Sequence, residues 1–224
     1  MNRRLILLPL FAIAAFVVWK VYDRPGPSRG TPAVTWRAGG ESEFAQGRNY
    51  LEVPWETTIR ASLHCDEPRH VYVFSHSDED GTLLLFPSTM LKTDRSNPLP
   101  PGQNVLPGQH DGKDLAWTTR SGIAGVTTFV VVAAEQPVPE LSALLPKLRM
   151  WTNSSLPSGE LGVTNPSNGE PPLAGPHSRE FPAPVLQRAA ALSADSVNPN
   201  GPMQADPQLP GVWLASWRVV PKKP

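Results

Sequence analysis

Proline sets the terms for this chain. It occurs 27 times in 224 residues, about twice the usual share of roughly 5%. Each proline fixes φ and removes a backbone donor, which works against long helices and central strands. Much of the chain is therefore expected in loops or extended linkers, with regular structure confined to short runs.

One run is of a different kind. "MNRR" precedes "LILLPLFAIAAFVVWKVY", Leu5 to Tyr22, in which Lys20 is the only charge. At 1.5 Å per residue this segment reaches about 27 Å, enough to span a thin bilayer with Lys20 snorkelling outward. Trp19 and Tyr22 suit the interfacial belt. Ala12-Ile13-Ala14 has the small-x-small form of a signal-peptidase site, but the apolar run continues through Val18, past the usual cut. The segment reads as a signal anchor, with a cleaved signal peptide as the rival. Arg3 and Arg4 before the span and Lys20, Arg24 and Arg29 after it do not decide orientation by count. A short basic tail followed by a long hydrophilic domain is nevertheless the usual signal-anchor arrangement. The expectation is a single pass through the cytoplasmic (inner) membrane, with most of the chain on the periplasmic or extracellular side.

The chain then divides as a 1–4 tail, the 5–22 anchor, a 23–32 Pro/Gly linker and a 33–150 β-rich domain. A 151–181 Pro/Ser/Gly-rich irregular loop, a short helix at 182–194, an irregular loop at 195–210 and a returning strand at 211–220 follow. In "TTIRASLHC" Ile59, Ala61, Leu63 and Cys65 alternate with Arg60, Ser62 and His64, the pattern of a strand with one buried face. "HVYVF", "TLLLF" and "VTTFVVVAA" are continuous apolar runs, which predict strands covered on both faces. "PELSALLPKLRM" allows a helical turn from Pro139 that Pro146 should kink or end. "PVLQRAAALSA", with proline in its first turn, is the better helix. "GVWLASWRVV" places Trp213, Ala215, Trp217 and Val219 on one face. Such a strand must pair with the main sheet to cover its indoles. The fold class is mainly β: an antiparallel β-sandwich-like domain with one N-terminal transmembrane helix and one short additional helix.

The acidic knot in "HVYVFSHSDEDGTLLLFPS" invites a calcium reading. An EF-hand loop with its glycine on Gly81 would need its bidentate acid at Pro87, and strands rather than helices flank it. Asp80-Gly81 instead suits a two-residue hairpin turn. That turn sets Glu79 opposite Thr82, Ser77 opposite Leu84 and Ser75 opposite Phe86, with the acids solvated at the tip.

"VYVFSHSDEDGTLLLFPS", "LPPGQNVLPG" and "SGIAGVTTFVVVAAEQPVPEL" together resemble the bacterial domain of unknown function (DUF) 4384 over about residues 57–141. The shared pattern is an aromatic-bearing strand, an acidic turn with glycine and a strand ending in Phe-Pro. An "aG…lP" segment and a late valine-rich strand complete it. The resemblance implies an extracytoplasmic β-rich module and carries no catalytic residues with it. This chain has no recognisable enzyme domain beside the module.

Lys plus Arg and Asp plus Glu stand at 20 each, and no basic stripe with interleaved aromatics occurs, so nucleic acid is not an expected partner. Cys65 is the only cysteine. It falls on an apolar strand face, where an inert thiol is the usual outcome. His64, His70 and His76 recur every six residues. A first hairpin pairing His64 with His70 would make those imidazoles cross-strand neighbours, yet no third zinc ligand is evident. "SGIAG", Ser121 to Gly125, lacks the G-x-S-x-G pattern. Walker, dinucleotide and H-E-x-x-H motifs are absent. No catalytic, cofactor or metal residues are assigned, and no cofactor is expected. His64, His70, Trp213 and Trp217 are the binding candidates, through an exposed face that would meet an envelope protein or, by indole stacking, a surface glycan. The expected task is non-catalytic binding or scaffolding. The alternative is an uncharacterised hydrolase in which His64, His70 or His110 meets an acid and a serine.

Overall fold

The computed structural model describes residues 30–39, 50–89, 91–119, 125–152, 162–164, 181–195 and 200–223. The Leu5–Tyr22 segment lies outside them. Among the described residues no helix is long and apolar enough to cross a membrane.

Two sheets share one apolar core. The first is built on β1 (Ala33–Ala38), β3 (Thr58–Cys65) and β6 (Gly102–Leu106), all antiparallel. β9 (Trp117–Thr118) also pairs with β3, and β13 (Gly201–Pro202) with β1. The second sheet runs β12 (Gly162–Thr164), β11 (Arg149–Thr152), β5 (Gly81–Phe86), β4 (His70–Ser77), β10 (Thr127–Ala134), β15 (Val212–Lys222) and β14 (Gln204–Ala205). β2 (Leu51–Pro54) joins β15 in parallel, as β11 joins β5. The second sheet is therefore mixed rather than antiparallel throughout.

Alternation decides what each strand buries. Ile59, Ala61, Leu63 and Cys65 on β3 point inward, while Arg60 and His64 face out. Val73, Val131, Ala215 and Trp217 meet them from the second sheet. Trp36 of β1 lies against Trp217 of β15 and Phe129 of β10, with centroids 5.2 and 5.6 Å apart. These tilted aromatic contacts join the two layers.

The other face of the second sheet is covered as well. Tyr72, Phe74, Leu84, Val130, Val132 and Leu214 pack under helical segments. These are α1 (Pro139–Leu144), a 3₁₀ turn (Leu145–Lys147) and α2 (Pro184–Asp195). This third layer explains the unbroken apolar runs of β4, β5 and β10, and Pro146 does end α1. α2 presents Val185, Leu186 and Ala189 to the sheet. Its Arg188 forks onto Asp206, Nη2 to Oδ2 at 2.7 Å, where the carboxylate is fully buried. The Gln208 N–H donates to the same carboxylate at 2.8 Å, so the pair ties α2 to the turn before β15.

Several expectations are corrected. β3 and β4 do not form a hairpin: Asp66–Arg69 carries the chain from one sheet to the other. Arg69 anchors that crossing, with its backbone paired to Leu99 and its guanidinium 4.9 Å over the Trp213 ring. The β4–β5 turn closes on Ser77 opposite Gly81, not on Asp80-Gly81. His76 faces Thr82 and Ser75 faces Leu83, with a bulge between Val73 and Phe74. The Asp80 N–H donates to Ser77 Oγ at 3.0 Å, which draws Asp80 inward to 9% exposure while Asp78 and Glu79 stay in water. The two-residue turn belongs to the other Asp-Gly pair. Asp111 (φ 50) and Gly112 (φ 71) join β7 (Gln109–His110) to β8 (Lys113–Asp114), the paired positive φ of a type I′ turn. Short strands β11 and β12 fall within or beside the 151–181 segment, and β13 and β14 within 195–210, where only irregular chain was expected.

Gly108 has φ 104, and a methyl there would lie 2.5 Å from Asp94 Oδ1 and 2.6 Å from Arg95 Cγ, and against Thr93 Oγ1. Asp94 Oδ1 also accepts the Gln109 N–H at 2.6 Å, so the loop cannot yield freely. Gly108→Ala should lower unfolding free energy by about 2 kcal/mol or more, read as a reduced urea midpoint with unchanged slope.

Candidate functional site

The helix-side face of the second sheet changes character along its strands. Register sets its rows. His70, Ala134 and Val212 form one row, then Tyr72, Val132 and Leu214, then Leu84, Phe74, Val130 and Ser216. The last row is Thr82, His76, Thr128 and Arg218, drawn from β5, β4, β10 and β15. Strands about 4.8 Å apart place these four side chains along roughly 14 Å. An imidazole, two hydroxyls and a guanidinium thus interrupt a face that is apolar elsewhere apart from His70 and Ser216.

The two ends of the row differ. Thr82 is fully buried and His76 is 8% exposed. Their Oγ1 and Nδ1 are 2.9 Å apart, and Phe181 covers the imidazole with ring centroids 4.8 Å apart. At the other end Arg218 is half-buried, and its Nε is sealed from solvent without an acceptor. Ser216, 7% exposed, also holds a sealed Oγ without a partner. Thr128 stands directly opposite Arg218. The nearest acid in register, Glu52 opposite Val220 on β2, is bound to Lys222 Nζ at 2.7 Å. Buried hydrogen-bonding groups normally find partners within the fold. Here a guanidinium nitrogen and a hydroxyl do not.

The residues singled out from sequence are scattered. His64 lies on the solvent face of β3, opposite Ala33 and Gln103, with Asp66 Oδ1 at 3.3 Å. His70 begins β4 in the other sheet, opposite Ala134, so the two imidazoles are not cross-strand neighbours. His110 sits on β7 with Asp111 Oδ2 at 3.5 Å. Trp217 is a core residue at 3% exposure. Trp213 is half-buried beneath Arg69. Trp36 and Trp117 are buried and Trp55 half-buried, so these indoles form no exposed stacking row. Ser121 and Gly122 lie outside the described residues. Among the described residues no three His, Cys, Asp or Glu side chains are grouped to hold a metal ion.

Beside the His70 row, a recess of about 330 Å³ is lined by Glu135, Pro137, Val138, Pro139, Leu209 and Pro210 among others. Its proline lining offers few N–H donors. Glu135 lies 4.0 Å from Arg69, so its charge is partly answered. The polar row is the better site.

Sequence reading noticed His76 but passed over Thr128, Ser216 and Arg218. The signal was present in "GVWLASWRVV": Val212, Leu214, Ser216 and Arg218 share the face opposite the tryptophans. Two polar residues in succession on a covered face become meaningful only when register places Thr128 and His76 beside them.

No family model matches this chain, and no curated protein or solved structure shows significant similarity to it.

Because Ser216 Oγ is desolvated without a bond, Ser216→Ala should raise unfolding free energy by about 1 kcal/mol. Arg218→Met should leave stability within about 0.5 kcal/mol of the parent. Chemical denaturation of both variants checks the pair, and marked destabilisation by either would mark the row as purely structural.

Two core groups predict an alkaline limit. Burial pushes the Cys65 thiol up, Arg69 opposing and Asp66 assisting. Burial likewise raises the Tyr72 phenol, against hydrogen bonds from the Val138 backbone and the Ser142 side chain. Both groups hold their protons longer in the folded state. Stability should therefore be complete below the ordinary thiol range near ~8.5 and decline as pH rises through it. Urea denaturation from pH 7.5 to 10.5 should show that decline, and Cys65→Ala and Tyr72→Phe should each flatten it.

Proposed function

We propose that this chain is a membrane-anchored, extracytoplasmic, non-catalytic binding or scaffolding module of the bacterial envelope. The observation that carries the binding half is the polar row. Arg218, Ser216 and Thr128 keep hydrogen-bonding groups together on a face where packing alone would favour aliphatic side chains, which is how folds depart from stability rules at recognition sites. The anchoring half rests on the apolar run Leu5–Tyr22, the basic "MNRR" before it and the Pro/Gly linker after it. The resemblance to DUF 4384 over about residues 57–141 supports an extracytoplasmic β-rich module. The partner is an envelope protein or a surface glycan.

A second reading, an uncharacterised hydrolase, draws on the 2.9 Å contact between His76 Nδ1 and Thr82 Oγ1. A hydroxyl beside an imidazole is the start of a nucleophile–base pair. Thr82 has no solvent exposure and Phe181 lies over the imidazole, so a substrate carbonyl has no path to it. The binding reading is preferred.

Fractionation of cells expressing the full chain with a C-terminal tag tests the address. The protein should sediment with membranes, resist a carbonate wash and be digested by protease added to spheroplasts. Recovery of intact chain among soluble proteins, or protection from external protease, would overturn it.

A further inference from the structure

We infer that the Arg218 end of the polar row binds a phosphate-type oxyanion. The inference rests on the reading of this row as a binding surface and names what it binds.

Three side chains on two adjacent strands supply the site. Arg218 and Thr128 are directly opposed across β15 and β10, and Ser216 precedes Arg218 by two residues on the same face. Opposed residues of an antiparallel pair stand about 5 Å apart at Cβ, and same-face residues along a strand about 7 Å. The guanidinium and two hydroxyls therefore stand close enough on one face to converge on one small anion. The guanidinium offers a planar fork of N–H donors, and each hydroxyl can turn one O–H toward the same point. Donors from three directions suit a tetrahedral group with three or more oxygens better than a flat carboxylate with two.

The surrounding charge is compatible. Among the described residues no hydrogen bond or ion pair answers the Arg218 guanidinium. The acid nearest in register, Glu52, is taken by Lys222. His76, across Thr128, adds an imidazole rather than a carboxylate. Sealing Arg218 Nε and Ser216 Oγ from water without partners costs stability, and an anion held between them would remove that cost.

The test uses the purified full chain in detergent, titrated with sodium phosphate at ionic strength held constant with sodium chloride. Binding is read from the thermal midpoint and from tryptophan emission, since Trp217 lies between Ser216 and Arg218. Wild type should saturate. Arg218→Met should weaken phosphate binding roughly tenfold or more, Ser216→Ala less, and Arg218→Lys should retain part of the affinity. Arg37→Met, which removes an exposed arginine from β1 on the other sheet, should bind as wild type does. Glycerophosphoglycerol, the diester of a phospholipid headgroup, separates the sources. Equal binding assigns the site to a headgroup or phosphodiester polymer, and binding of inorganic phosphate alone assigns it to a free phosphate or monoester. A phosphate response unchanged in Arg218→Met, or equally lost in Arg37→Met, overturns the inference. If neutral trehalose rather than phosphate gives an Arg218-dependent response, the oxyanion inference falls and the binding surface stands. If no probe gives one, both fall.

Discussion

Everything in this fold is arranged around a strand buried along most of its length. β10 carries "TTFVVVAA" between β4 and β15, and from Phe129 onward each residue is buried. A strand covered on both faces needs two covers, and the chain provides the β1–β3–β6 sheet on one side and α1 and α2 on the other. The inward faces of β1 and β3, the apolar face of α2 and the tryptophans of β1 and β15 all follow from that requirement. Full burial of a single valine or leucine is worth about 1.5–3 kcal/mol. The three layers persist because each buries a face that the others would leave wet.

Much of this was legible in the sequence, for a physical reason. Alternation on β3 and continuity on β4, β5 and β10 are direct records of one-sided and two-sided burial. The helix from Pro184 and the arrest of α1 at Pro146 were equally plain, since they reflect proline's fixed φ. Pairing was not legible. His64 and His70 are close in sequence and belong to different sheets, because Asp66–Arg69 crosses between layers instead of turning back. That choice depends on Arg69 lodging over Trp213 and against Leu99, which come from distant parts of the chain. The β4–β5 register failed for a local reason: the Ser77 hydroxyl competes for the Asp80 N–H, so the reversal takes up Asp78, Glu79 and Asp80. The preferred dipeptide rule was sound but applied to Asp80-Gly81 when the type I′ geometry occurs at Asp111-Gly112.

The candidate site was the least legible part, because it has no motif. His76, Thr82, Thr128, Ser216 and Arg218 lie on four strands and meet only through register. The residues most conspicuous in a linear reading, His64, His70, Trp213 and Trp217, are dispersed or structural. Trp217 and Phe129 lock the two sheets together through Trp36. The functional signal instead resides in residues that violate the local pattern without an internal compensation. Among the described residues, a buried serine with no bond and an arginine with no acid are evident only after the geometry supplies their surroundings.

The position of β15 has a consequence for how the molecule comes into being. Residues 212–222 are threaded into the interior of the second sheet, flanked by β10 on one side and by β14 and β2 on the other. A growing polypeptide cannot assemble that sheet until this late stretch has left the ribosome, and the lone sheet around β1, β3 and β6 would meanwhile have an open greasy side. Long-range closure of this kind makes assembly slow and all-or-none. On the extracytoplasmic address proposed above, such postponement would keep the chain extended until translocation is complete.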